Sequence, residues 1–114
     1  MPTLYHNPRC SKSREALALL QARGCKPDIV LYLDNPPTAK QLRALIGTLG
    51  ITARDLLRKT EDAYQDLNLA DEKLSDTALI KAMVANPKLI ERPIFINGDK
   101  AVVGRPSEVV LTLL

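Results

Sequence analysis

The sequence predicts an α/β fold: a β-α-β unit, an all-helical insert over about residues 38–86, and a closing β-β-α unit. Three observations predict it. The spacing of apolar residues changes from strand-like to helical within the first twenty positions. No strand pattern occurs between Thr38 and Ala85. Strand character then returns at Ile94 and runs into a hairpin signal. A chain of 114 residues is one domain's worth, and the insert is joined by short turns. Residues 1–114 are therefore expected as a single domain, with the insert as a lobe.

Thr3-Leu4-Tyr5-His6 is a short β-prone run ended by the turn signal Asn7-Pro8. From Ser11, the residues Ala16, Leu17, Leu19, Leu20 and Ala22 fall at helical spacing, and Gly24 stops the helix. Asp28 to Leu33 is a continuous apolar run bounded by Pro27 and Asn35-Pro36-Pro37, the pattern of a fully buried central strand. Within the insert, Thr38 and Gln41 form a capping box before the stripe Leu42, Leu45, Ile46 and Leu49, which Gly50 closes. Thr52 caps a short helix through Leu56 and Leu57. Ser75 caps another, with Leu79, Ile80, Met83 and Val84 as its stripe, ending near Asn86-Pro87. Ile94-Phe95-Ile96 and Ala101-Val102-Val103 flank the turn Asn97-Gly98-Asp99-Lys100 as an antiparallel hairpin. Pro106 opens a last helix with Val109, Val110 and Leu113 inward.

Composition narrows the chemistry. Hydrophobic residues make up 46% of the chain and charged residues 25%, which is globular and too apolar for a disordered tail. Two cysteines and one histidine are too few for a structural zinc site or a disulfide framework. No metal site is expected. A net charge of +3 is a weak argument for nucleic acid, and no nucleic-acid partner is expected. The basic excess is local: Arg9, Lys12, Arg14, Arg23 and Lys26 stand against Glu15 in the first 26 residues. No stretch approaches a membrane span, and Met1 to Tyr5 lacks a signal-peptide pattern. The expectation is a cytoplasmic monomer with reduced thiols, away from the membrane.

Cys10 follows a strand and a turn at the start of a helix. A helix N-terminus offers unpaired N–H groups and partial positive charge, and both favour a thiolate. Arg9, Lys12 and Arg14 add positive potential. Ser11 and Ser13 can donate hydrogen bonds to the sulfur or to a bound oxyanion. His6 either assists the thiol or packs at the strand end. Cys10 to Ser13 is C-x-x-S, so the second thiol of a dithiol motif is missing. Cys25 lies beyond about 13 helical residues, roughly 20 Å away, whereas a disulfide needs Cα atoms within about 7 Å. Any redox work at Cys10 thus needs a thiol from outside. Cys10 to Arg14 is C-x3-R, which does not fit the C-x5-R loop of tyrosine phosphatases.

The segment from Tyr5 to Arg14, Tyr-His-Asn-Pro-Arg-Cys-Ser-Lys-Ser-Arg, resembles the active-site segment of the ArsC family of glutaredoxin-dependent arsenate reductases. The resemblance continues through residues 32–38, Leu56-Leu57-Arg58-Lys59, Leu67-Asn68-Leu69-Ala70, residues 86–94 and residues 104–110, and so spans essentially the whole chain. It is nearest to the YfgD-like branch, which shares Arg-Cys-Ser-Lys-Ser-Arg. The resemblance implies a thioredoxin-like (glutaredoxin-like) fold with a helical insert. It implies Cys10 as the nucleophile, Arg58, Arg92 and Arg105 as the oxyanion ligands, and Pro93 as a cis-proline that brings Arg92 near Cys10. Guanidinium forks match a tetrahedral oxyanion and offset the charge that repels a thiolate. Out of context, Arg58 fits a solvated helix charge better than a ligand.

The resemblance further implies arsenate or a similar oxyanion as substrate, no bound cofactor, and glutathione and glutaredoxin as external reductants in arsenic detoxification. Where better-known members have Gly-Thr, this chain has Ser11-Lys12, which adds a cation at the mouth of the site. Two other readings stay open. One is a glutathione-linked protein acting on mixed disulfides. The other is a regulatory binding module like the Spx proteins, which share the fold but commonly carry the C-x-x-C that Ser13 removes here.

Overall fold

A computed structural model describes residues 2–114. The chain divides into two compact units, residues 2–35 with Arg92–Leu114, and Pro36–Glu91.

The first unit holds a four-stranded sheet in the order β2-β1-β3-β4. Strand β1 (Thr3–Tyr5) leads through the Asn7–Cys10 turn into helix α1 (Ser11–Ala22), and strand β2 (Asp28–Val30) returns parallel to β1. Strands β3 (Ile94–Asn97) and β4 (Lys100–Val103) form the hairpin, with Ile94 opposite Val103 and Asn97 opposite Lys100. Gly98 in the turn takes φ 66°, a left-handed value that side-chain-bearing residues rarely adopt. Strand β3 also pairs antiparallel to β1, with Leu4 opposite Phe95. Leu4, Ala16, Leu20, Phe95 and Val110 form the core, with Leu17, Cys25, Val102, Leu111 and Leu113 packed against it. The helical spacing of Ala16 and Leu20 puts both on the face of α1 turned to the sheet.

Two expectations are corrected here. The Asp28–Leu33 run is not a buried central strand. Only Asp28–Val30 pairs, at the sheet edge, and Ile29 and Leu31 are 42% and 37% exposed. Tyr32 is the fully buried member of that run, beyond the strand. A short continuous apolar run does not by itself separate an edge strand from a central one. The closing helix is also different: Ser107–Leu113 is a seven-residue 3-10 helix preceded by Pro106, with Ser107 and Val110 buried. Runs of that length are uncommon for 3-10 geometry.

The second unit is built from helices. Helix α2 (Ala39–Leu49) has the expected capping box, Thr38 accepting from Gln41 N–H and Gln41 reaching back to Thr38 N–H. Gly50 ends it in the left-handed region. A 3-10 turn at Arg54–Leu56, helix α3 (Asp62–Asp66), helix α4 (Asp76–Ala85) capped by Ser75, and a 3-10 turn at Pro87–Leu89 follow. One isolated antiparallel bridge joins Leu57 to Ile90.

Candidate active site

The first unit brings β1, the Asn7–Cys10 turn, α1 and the Gly104–Ser107 loop to one place. Cys10 is the N-cap of α1, with extended backbone. Its carbonyl accepts the Arg14 N–H at 3.0 Å, which starts the helix. Its own N–H donates to the Asn7 carbonyl at 3.0 Å and closes the turn. Asn7 Oδ1 in addition accepts Arg9 N–H at 3.0 Å. The turn is thus held by its own backbone and by one buried Asn.

The sulfur is partly buried, and burial pushes the thiol pKa up. Several groups outweigh that: the Ser13 N–H, the Arg92 guanidinium by hydrogen bond and by charge, and the Lys12 N–H. The net effect holds the thiol below its ordinary value. Arg105 also reaches the sulfur, with Nη2 at 3.6 Å, and its Nε donates to the Arg92 carbonyl at 2.8 Å. Arg92 is half-buried whereas Arg105 is exposed, so solvent screens Arg105 more and Arg92 carries more of the electrostatic effect. The peptide bonds Arg92-Pro93 and Arg105-Pro106 are both cis.

Ser13 acts differently from the expectation. Its hydroxyl does not face the sulfur. It is buried between His6 Nδ1 at 2.7 Å and the Asn7 N–H, which it accepts at 3.0 Å. Only its backbone N–H serves the thiolate. The reason is position: the third residue of a helix points its side chain back along the helix, here toward the strand end. His6 is buried, and burial lowers its pKa, so its neutral form is favoured. In the Nε2-protonated tautomer, Ser13 donates to Nδ1. Arg14 and Arg9 are exposed. A cavity of about 390 Å³ lies beside the turn, lined by His6, Asn7, Pro8, Arg9, Leu31, Leu33 and Asp34.

Arg58 belongs to the second unit and is no solvated helix charge. Its side chain is 16% exposed and lies 3.4 Å from Glu61 and 3.7 Å from Glu91. The backbone N–H of Arg58 donates to the Leu89 carbonyl at 2.7 Å. Cys25 is partly buried against the sheet core and free, as is Cys10. Two polar contacts join positions far apart in the sequence. Ser107 Oγ lies 2.9 Å from Glu15 Oε2 and 3.2 Å from the Lys12 carbonyl, across 92 and 95 positions of chain. No local pattern encodes such pairs. Among the described residues no group of three or more His, Cys, Asp or Glu is placed to hold a metal ion, and no helix is long and apolar enough to cross a membrane.

Known proteins resemble this chain over nearly its whole length. The chain is 56% identical over 112 residues to the protein YfgD of Escherichia coli K12, covering 97% of this chain and 94% of that one. An arsenate reductase of Haemophilus influenzae is 48% identical over 112 residues, covering 97% of both chains. The solved arsenate reductase of Vibrio cholerae superposes with a TM-score of 0.97 at 47% identity, covering 99% of this chain and 97% of that one. The fold is thioredoxin-like. The ArsC family pattern matches residues 5–113, and the chain belongs to the ArsC family.

Proposed function

We propose that this protein is an arsenate reductase that draws its electrons from glutathione and glutaredoxin. The observation that carries the proposal is the surroundings of Cys10. Helix N–H groups and two guanidiniums converge on one sulfur, and the same groups suit a tetrahedral oxyanion. Relatives named arsenate reductase at 44–48% identity support the substrate class. Arg58 joins Arg92 and Arg105 as the third oxyanion ligand on its motif match alone.

In the first step the Cys10 thiolate attacks arsenic, a sulfur–arsenic bond forms and one oxygen leaves as water after protonation. The arsenic is still pentavalent. A glutathione thiolate then attacks the Cys10 sulfur. The sulfur–arsenic bond breaks with its electron pair on arsenic, which leaves as trivalent arsenite, and a Cys10–glutathione disulfide remains. Glutaredoxin accepts the glutathionyl group and returns the Cys10 thiolate. The positive groups matter most in the first step, where two anions meet. The C-x-x-S motif and the distant Cys25 support an external thiol as the electron source.

Arsenite production from arsenate with glutathione and glutaredoxin tests the proposal. Wild type is expected to turn over and Cys10→Ser to be inactive. A wild type that produces no arsenite defeats the reductase reading. Activity that survives Cys10→Ser defeats the nucleophile assignment.

A further inference from the structure

The segment Gly104-Arg105-Pro106-Ser107 is tied down on both sides of Arg105. Upstream, the Gly104 N–H donates to the Pro93 carbonyl at 2.8 Å. A Cβ at Gly104 would lie 2.8 Å from Pro93 Cγ and 2.9 Å from Val110 Cγ1, so the loop is seated where only glycine fits. Downstream, Ser107 is 2% exposed, and its hydroxyl points to Glu15 Oε2 at 2.9 Å and the Lys12 carbonyl at 3.2 Å. A hydroxyl has one proton, and the nearer, charged carboxylate is the stronger acceptor. Both acceptors sit in the opening turns of α1, the helix that Cys10 caps.

Arg105 itself is exposed, so packing does not fix its long side chain. Its aim is set by the Nε–H bond to the Arg92 carbonyl and by where the loop backbone is held. Glu15 also lies 3.6 Å from Lys12 Nζ, but both side chains are about half exposed, and such pairs contribute little. The bond to buried Ser107 is the one with structural consequence.

We propose that Glu15 and Ser107 form a clasp that fastens the Arg105 loop to the first turns of α1 and so keeps the Arg105 guanidinium over the Cys10 sulfur. They are positioning residues and touch neither sulfur nor substrate. The clasp rests on the proposed function only for its kinetic consequence, the placement of one oxyanion cation.

Side-chain hydrogen exchange by NMR on isotope-labelled protein tests it without any substrate. In wild type the Arg105 Nε–H, bonded to the Arg92 carbonyl, is expected to exchange more slowly than those of exposed Arg14 and Arg23. Ser107→Ala and Glu15→Ala are each expected to speed that exchange about fivefold, the effect of losing one hydrogen bond. Ser107→Thr and Glu15→Gln keep a donor and an acceptor and are expected to stay near wild type. Unchanged Arg105 exchange in the alanine variants overturns the clasp. Glu15 is exposed, so Glu15→Ala decides the matter if Ser107→Ala fails to fold. In arsenate kinetics, Ser107→Ala is expected to raise KM in the wild-type background and add nothing in an Arg105→Ala background. Equal increases in both backgrounds overturn the clasp too. A wild type inert toward arsenate removes the proposed function and leaves the exchange experiment to decide the clasp.

Discussion

Replacing Arg92 by methionine should change how Cys10 responds to pH in a distinctive way. Arg92 serves the sulfur through a hydrogen bond and a half-buried charge. A hydrogen bond to a charged group contributes about 1.5–3 kcal/mol. At the lower end, its loss leaves about tenfold less thiolate at any pH well below the midpoint. The thiolate that remains is more basic and therefore attacks faster. With a Brønsted coefficient of about 0.4–0.5, that returns about threefold in intrinsic rate. The rate of alkylation by iodoacetamide, followed against pH in a Cys25→Ser background, reports Cys10 alone. Arg92→Met is expected to be about threefold slower on the acid limb and about threefold faster on the alkaline plateau, so the two curves cross. Superimposable curves would refute the electrostatic role of Arg92. A uniform slowing without a crossing would mean that Arg92 acts on access to the sulfur rather than on its proton.

Three further outcomes follow from the same geometry. Ser13→Ala strips a partner from His6 and from the Asn7 N–H and is expected to cost about 1–3 kcal/mol in urea unfolding. Its backbone N–H remains, so the Cys10 alkylation profile should barely move, and a large shift would return the hydroxyl to the sulfur. His6 is held below its ordinary pKa of 6.5 by burial, so the unfolded chain binds the extra proton. The stability it contributes is complete above that value and lost as the pH falls below it. The fall in urea midpoint between about pH 7.5 and about pH 5.5 should shrink in His6→Asn, and an unchanged fall would contradict the assignment. Gly104→Ala would set a methyl 2.8 Å from Pro93 Cγ and should cost about 1–3 kcal/mol, read as a lower Tm. An unchanged Tm would mean that the loop seats more loosely than described.

Local physics explains what could be read from sequence. The Thr38 and Gln41 capping box, Gly50 at the helix end and the Gly98 turn are each signalled within four residues, and each forms where expected. Cys10 at the mouth of α1 was legible because strand, turn and helix follow one another directly. The burial of the Asp28–Leu33 run was not, because exposure of Ile29 and Leu31 depends on which strand lies beside β2. The same holds inside the site. Local pattern drew attention to Ser13, but its hydroxyl's partner is set by the packing of α1 against β1. Ser107 and Glu15 carry no local mark, since their contact joins the two ends of the chain. Arg92 and Arg105 flank the sulfur only because β3 and the Gly104 loop return to α1.

The most direct test of the central claim is arsenite accumulation from arsenate with glutathione and glutaredoxin, measured side by side for wild type, Cys25→Ser and Cys10→Ser. Turnover by the first two and none by the third is the expected result. Turnover by Cys10→Ser, or none by wild type, would contradict a single thiolate at the head of α1 carrying the covalent step.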